Sequence, residues 1–271
     1  MNGSSQVFLT GASGTLGRVL APALAAAGHR PVLSDIVPFP DLLPHGARFV
    51  AADLTDPSAL DEACPVDATA IVHFGGINNE REPGTILEGN ILGTTHVFEL
   101  ARRRGARVVF ASSNHVIGFH PRTRPLTITD PYRPDGHYGL SKVYAEMLGR
   151  MFYDKHGVES VHLRIGSCLP EPRNDRHRAT WLSYPDLIRL VDAAITAPRP
   201  GYAVVWGISR NANRWWTDDD AARIGFEPQD DAERFAASLV PEDGDRVALA
   251  FQGGSLCSLG YSRAAPARED L

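Results

Sequence analysis

Val7-Phe8-Leu9-Thr10-Gly11-Ala12-Ser13-Gly14-Thr15-Leu16-Gly17 is the stretch that decides the fold of this chain. An apolar run at 7–10 reads as a strand, and it feeds three glycines spaced GxxGxxG. Residues 15–27 then place Leu16, Val19, Leu20, Ala23 and Leu24 on one helical face. A strand that turns through glycines into a helix aims the first N–H groups of that helix at the turn, where a pyrophosphate fits. Gly11, Gly14 and Gly17 permit the tight turn and a close backbone approach, and Thr15 and Leu16 open the helix.

The same alternation continues outward from this stretch. Residues 31–35, 47–52, 69–74, 107–111 and 158–165 read as strands. Residues 56–63 read as a helix, with Asp56 as N-cap and Pro57 in its first turn. Residues 85–104 and 138–156 read as longer helices, stopped by Gly105 and Gly157. Such alternation predicts an α/β fold, a doubly wound parallel sheet of the Rossmann type with helices on both faces. After Ser167 the pattern loosens into a polar loop, a helix at 185–197, a strand at 202–206 and short helices at 218–224 and 230–239. Residues 264–271 are expected to fray. The reading is one domain over 1–271, with the cofactor part mainly at 5–166 and a small C-terminal substrate part mainly at 167–263.

Composition narrows the function classes. The 271 residues carry 27 Lys and Arg against 32 Asp and Glu, a net charge of −5, so no basic surface for nucleic acid is expected. No apolar run approaches the roughly 20 residues that span a bilayer, so no membrane partner is expected. Residues 1–6 lack the basic and apolar segments of a leader, and the chain reads as cytoplasmic. Cys64, Cys168 and Cys257 form no CxxC pair, so neither a metal site nor a disulfide framework is expected.

Candidate site residues cluster at predicted strand ends. Asp35 closes the second strand, where a carboxylate accepts hydrogen bonds from adenosine ribose hydroxyls and repels the extra phosphate of NADP. The expected cofactor is therefore NAD. Asp53 and Leu54 are placed to flank the adenine, and Phe74, Gly75 and Gly76 offer small residues where backbone passes the cofactor. Tyr138 and Lys142 stand four apart and share a helical face. A free tyrosine titrates near pH 10; a neighbouring ammonium favours its phenolate, which then serves as base toward a substrate hydroxyl. Ser113, at the end of the fifth strand, is placed to hydrogen-bond the reacting oxygen.

These residues, in this order, resemble the extended short-chain dehydrogenase/reductase family, the NAD-dependent epimerases and dehydratases. The match rests on Gly11, Gly14, Gly17, Asp35, Asn90, Ser113, Tyr138 and Lys142. It implies a Ser113–Tyr138–Lys142 triad and a structural, cofactor-side position for Asn90. The blocks from Phe110 to Gly118, from Arg164 to Cys168, Pro170-Glu171-Pro172, Val204-Val205-Trp206-Gly207 and Phe251-Gln252-Gly253-Gly254 are similar to uronate dehydrogenases over nearly the whole chain. That resemblance implies NAD-dependent oxidation of C1 of a hexuronic acid, D-glucuronate or D-galacturonate, to the aldarolactone. It implies substrate contacts from Ser113, Asn114, His115, Ser167 and Arg176, cofactor contacts from Thr15, Leu16, Asp35, Asp53 and Ile165, and a homo-oligomer. Asn78 stands where the family is expected to hold a substrate-touching serine.

Physical chemistry supports the narrowing. Arg176 offers a planar fork that can hold a carboxylate by two parallel hydrogen bonds. The stretch beyond Ser167 is short for a nucleotide-sugar site. His73 reads as a packed core histidine, Cys168 as a small buried residue, and Trp206, Trp215 and Trp216 as core or interface anchors. Two rival readings remain open: a nucleotide-sugar epimerase or dehydratase on the same fold, and a non-enzymatic dinucleotide-sensing regulator.

Overall fold

The apolar runs become a seven-stranded parallel sheet in a computed structural model that describes residues 5–266. Residues 1–4 and 267–271 lie outside that range, and with them most of the 1–6 segment and most of the stretch expected to fray. The strands are β1 (Gln6–Thr10), β2 (Arg30–Asp35), β3 (Arg48–Ala51), β4 (Ala70–His73), β5 (Arg107–Ser113), β6 (Ser160–Ile165) and, after the short β7 (Ser167–Cys168) and β8 (Trp181–Leu182), β9 (Tyr202–Gly207). Their order is β3-β2-β1-β4-β5-β6-β9, with every pair parallel. The order reverses between β1 and β4, which opens a crevice at the carboxyl ends of those strands. β7 and β8 pair with each other apart from this sheet.

Helices cover both faces. On one, Leu20 and Leu24 of α1 (Thr15–Ala26) pack with Leu187, Leu190 and Val191 of the helix Tyr184–Thr196. On the other, Leu60 of α2 (Pro57–Ala63) packs with Val97, Phe98 and Leu100 of Gly93–Arg104 and with Leu148 and Phe152 of His137–His156. β1 and β4 lie between these layers and are buried throughout, which is why they read as unbroken apolar runs. In the chain order of α1 and α2, we call Pro83–Ile86 α3, Gly93–Arg104 α4 and His137–His156 α5. Met147 and Met151 of α5 remain exposed while its Phe152 joins the core. Trp206 and Trp216 stack at 5.1 Å in a third apolar cluster.

Two departures from the sequence reading matter for the site. The expected helix at 85–104 is interrupted by a π-helical turn, Leu87–Leu92, between α3 and α4. Such wide turns recur at functional sites. The turn carries Asn90 inward, where its amide accepts from Ile77 N (2.7 Å) and donates to Ile77 O (3.0 Å) and to Ser141 Oγ of α5 (2.9 Å). The C-terminal part also does more than line a substrate site, because β9 pairs with β6 and extends the main sheet.

Buried histidines make the fold acid-sensitive. His73 is 1% exposed, held between Thr10 Oγ1 (2.7 Å) and Thr94 Oγ1 (3.2 Å), and burial lowers its pKa to about 3. His162 is likewise lowered to about 4 by burial. Both folded values lie below the unfolded value near 6.5, so the unfolded chain binds more protons between the two. The stability they lend is complete above pH 6.5 and is lost as the pH falls from there toward 4, at about 1.4 kcal/mol per pH unit for each histidine. Thermal unfolding should therefore shift down by several degrees between pH 7 and pH 5, and an unchanged midpoint would contradict the argument.

Candidate active site

The crevice at the strand ends is a cleft of about 580 Å³. Its walls bring together Gly11, Gly14, Thr15, Leu16, Gly17, Asp35, Asp53, Leu54, Phe74, Gly75, Gly76, Asn78, Ser113, Asn114, His115, Tyr138, Lys142 and Ile165. Residues spread over 155 positions thus meet because the strands that carry them end in register, as where Thr10 pairs with His73 and Ser113 with Ile165.

At one end the glycine loop meets α1. Gly11 has φ +72°, and a Cβ there would lie 2.4 Å from the backbone of Phe74 and Gly75. A Cβ on Gly17 would come 2.1 Å from the Gly11 carbonyl oxygen. These two glycines let the loop press against β4's exit and α1 press against the loop. Gly14 instead stands exposed as the N-cap of α1, with no side-chain cap on the helix. The first-turn N–H groups of α1 are left free for an anion. Asp35 accepts from Ser13 N (3.1 Å) and Val37 N (3.2 Å), which anchors its carboxylate and leaves lone pairs toward the cleft. Lys142 is the only lysine or arginine among the lining residues, and it stands on the far side of β1 and β4 from Asp35. An uncapped helix start, an anchored carboxylate and no cation beside it fit the pyrophosphate and ribose of NAD and leave nothing to hold the extra phosphate of NADP.

At the other end α5 presents Tyr138 and Lys142, both buried. Lys142 Nζ lies 4.8 Å from the Phe110 ring centroid and 5.5 Å from that of Tyr138. Burial lowers Lys142 to about 8. Burial also raises Tyr138 to about 12; the Ser113 hydroxyl opposes that rise and Asp135 adds to it. This differs from the expectation that Lys142 brings the tyrosine down. In the chain alone desolvation dominates, and positive charge entering the cleft would favour the phenolate.

The placement of α5 comes from residues that sequence reading passed over. Glu80 accepts from His137 N (2.9 Å) and Tyr138 N (2.9 Å), supplying from a distant loop the cap that Gly136 lacks. Glu146, one turn beyond Lys142, accepts from Ser112 Oγ (2.6 Å), Tyr132 Oη (2.8 Å) and Arg164 Nη2 (2.8 Å). Burial alone would raise the Glu146 carboxyl, but Arg164 outweighs that and holds it below the ordinary range. The helix that carries Tyr138 and Lys142 is thereby tied to β5 and β6. The i, i+4, i+8 spacing of Tyr138, Lys142 and Glu146 was a signal available in the sequence.

Three expected site residues lie off the cleft wall. Asn90 sits behind it, its amide taken up by Ile77 and Ser141. Ser167 Oγ lies 2.9 Å from Thr180 Oγ1 and 3.0 Å from Arg176 Nη1. Arg176 donates further to the Gln252 carbonyl (2.7 Å), so its fork is partly engaged and not open as expected. Its Nε is buried without a partner, and it forms no ion pair among the described residues. Burial lowers its pKa to about 10. Asn114, in the amide orientation its neighbours require, donates to Ile165 O (3.1 Å) and accepts from Arg176 Nη2 (3.3 Å), linking that guanidinium to the wall. Cys168 lines the wall instead of its neighbour Ser167, its thiol pushed up to about 12 by burial.

A doubly wound sheet whose switch-point crevice holds a glycine loop at one end and a Tyr–Lys helix at the other belongs to a dinucleotide-dependent oxidoreductase. Comparison with known proteins makes this specific. Residues 7–184 match the NAD dependent epimerase/dehydratase family. A uronate dehydrogenase of Pseudomonas syringae pv. tomato is 41% identical over 261 residues, 94% of each chain. That of Agrobacterium fabrum is 42% identical over 255 residues, covering 92% of this chain and 96% of its own. A crystal structure of uronate dehydrogenase from Agrobacterium tumefaciens, a mutant complexed with NAD, superposes with a TM-score of 0.88 at 40% identity, covering 94% of this chain and 98% of that one. The chain belongs to the NAD dependent epimerase/dehydratase family and, within it, to the uronate dehydrogenases. Among the described residues, no helix is long and apolar enough to cross a membrane.

Proposed function

We propose that the chain oxidises C1 of a hexuronic acid, D-glucuronate or D-galacturonate, to the aldarolactone with NAD, as a cytoplasmic homo-oligomer. The observation that carries the uronate reading is Arg176, partly buried beside Asn114, with direct hydrogen bonds to neutral acceptors and no ion pair among the described residues, the carboxylates of Glu242 and Asp135 acting on it only at longer range. An anionic substrate group would supply the direct ion-pair partner it lacks. The terminal nitrogens of Arg176 serve Ser167 (3.0 Å) and Thr180 (3.4 Å) on one side and Gln252 (2.7 Å) and Asn114 (3.3 Å) on the other, and a carboxylate would take over the two longer bonds, those to Thr180 and Asn114.

Bound NAD supplies the hydride acceptor. The chain's own part is to hold the anomeric hydroxyl between Ser113 and Tyr138 and to take its proton on Tyr138 Oη. The ammonium of Lys142 and the positive charge of the oxidised nicotinamide would together favour the phenolate. Loss of the hydroxyl proton to Tyr138 and of the C1 hydride to the cofactor leaves a C1 carbonyl in a closed ring, hence a lactone, which water opens without help from the protein. The residues at 5–166 serve mainly the cofactor and those at 167–263 mainly the sugar.

The test is absorbance at the NADH band with D-glucuronate and D-galacturonate beside D-glucose and D-galactose. NADH should form with the uronates at a kcat/KM at least a hundredfold above the neutral hexoses. Absence of NADH with every sugar would sink the proposal and revive a non-enzymatic reading. NAD should be preferred to NADP, and Asp35→Ser should narrow that preference at least tenfold. Equal use of both by the unaltered chain would refute the role given to Asp35.

A further inference from the structure

A buried carboxylate stands behind the substrate end of the cleft. Asp135 precedes the Gly136 cap of α5, its side chain is 0% exposed, and its Oδ2 lies 2.6 Å from His115 Nδ1. Glycines from three segments make the space for it. A Cβ would lie 1.9 Å from Asp135 Oδ2 at Gly118, 2.0 Å at Gly253, and 3.1 Å from Oδ1 at Gly139. Enclosure of that kind costs several kcal/mol for an ion without compensation. Yet Oδ1 has no partner among the described residues, and the remaining contact of Oδ2 is a weak one from Cys257 Sγ at 3.8 Å. His115 is thus the one strong donor to this carboxylate.

His115 in turn lines the cleft, edge-on to the Tyr138 ring with centroids 5.8 Å apart. Its Nδ1 is engaged by Asp135, and its Nε2 makes no hydrogen bond among the described residues. A ring nitrogen's proton follows the partner of the other nitrogen. We propose that Asp135 is a positioning residue. By accepting Nδ1–H it fixes the tautomer and angle of His115, so that Nε2 presents a bare lone pair to the sugar and accepts a hydrogen bond from one ring hydroxyl. The proposal rests on the uronate reading for its ligand, and on geometry alone for its tautomer. It adds a selection that Arg176 does not make: Arg176 answers the carboxylate, and the Asp135–His115 pair answers the hydroxyl pattern.

Two measurements test it. Nitrogen-15 NMR of histidine-labelled protein at pH 8.5, with His115→Gln for assignment, should show the His115 proton on Nδ1. A proton on Nε2 would overturn the proposal without any substrate. Kinetics come second. His115→Ala should lower kcat/KM for D-glucuronate about tenfold. For one of the monodeoxy acids lacking the C2, C3 or C4 hydroxyl, the same substitution should cost less than twofold, because the hydroxyl it served is gone. Asp135→Ala should match His115→Ala, and Asp135→Asn, whose amide oxygen still accepts Nδ1–H, should recover most of the loss. Equal losses for all the deoxy acids would reduce His115 to a packing role and overturn the proposal. If Asp135→Ala does not fold, the NMR measurement and His115→Ala decide. Lack of turnover with any uronate would sink the functional reading instead, and leave the tautomer to judge Asp135.

Discussion

Tyr138→Phe should cut kcat by about a thousandfold while NAD affinity stays within about twofold of the unaltered chain. The substitution removes one oxygen and keeps the ring, so the edge contact with His115 and the burial of the side chain persist. The lost group is the proton acceptor. Because burial holds Tyr138 at about 12 in the chain alone, little phenolate exists at neutral pH before positive charge enters the cleft. The unaltered chain should therefore gain rate as the pH rises, tenfold per unit on the ascending limb, until the tyrosine of the loaded enzyme is deprotonated. The phenylalanine variant's residual rate should lack that limb. NAD affinity is read by quenching of intrinsic fluorescence and kcat by NADH absorbance. A variant that keeps more than a tenth of the rate, with the same pH profile, would place the base elsewhere.

What was legible in the sequence follows the range of each interaction. β1, the glycine loop and α1 form one continuous segment, and their periodicity and spacing are local. Tyr138 and Lys142 are legible for the same reason, being one helical turn apart. The parts that hold them were not. Glu80 caps α5 from 57 positions away in the chain, and no local pattern marks a glutamate as a distant cap. The π turn at Leu87–Leu92 reads as ordinary helix because its apolar spacing barely differs from that of one. Asn90 was given a structural, cofactor-side position by the family resemblance alone, and its hydrogen bonds run to Ile77 and Ser141. Arg176 was expected to offer an open fork on the ligand side of the sheet, and it stands off the cleft wall with that fork partly engaged. Its engagement by Gln252, 76 positions on, depends on a turn that composition alone does not reveal. Local chemistry is written in spacing, and its support is written in contacts between distant segments.

Arg176→Met should lower kcat/KM for D-glucuronate by a factor of about 100–1,000, and for D-glucose by less than about threefold. Methionine fills much of the same volume without charge, so the comparison isolates the countercharge for the carboxylate. The arginine also braces Ser167, Thr180 and the Gln252 carbonyl, and part of any loss will come from that structural role. A drop in the active fraction scales both substrates equally, however, and cancels in the ratio of their kcat/KM values. That ratio is therefore the quantity to measure. The loss should fall mainly on KM, because the carboxylate lies away from the bond being broken and is held equally in ground and transition states. Arg176→Lys keeps the charge but not the planar fork, and should sit between, with a ratio reduced about tenfold. If Arg176→Met leaves the uronate-to-hexose ratio unchanged, the carboxylate is held elsewhere in the cleft, and the unpaired guanidinium is there to brace the Ser167 and Gln252 segments alone.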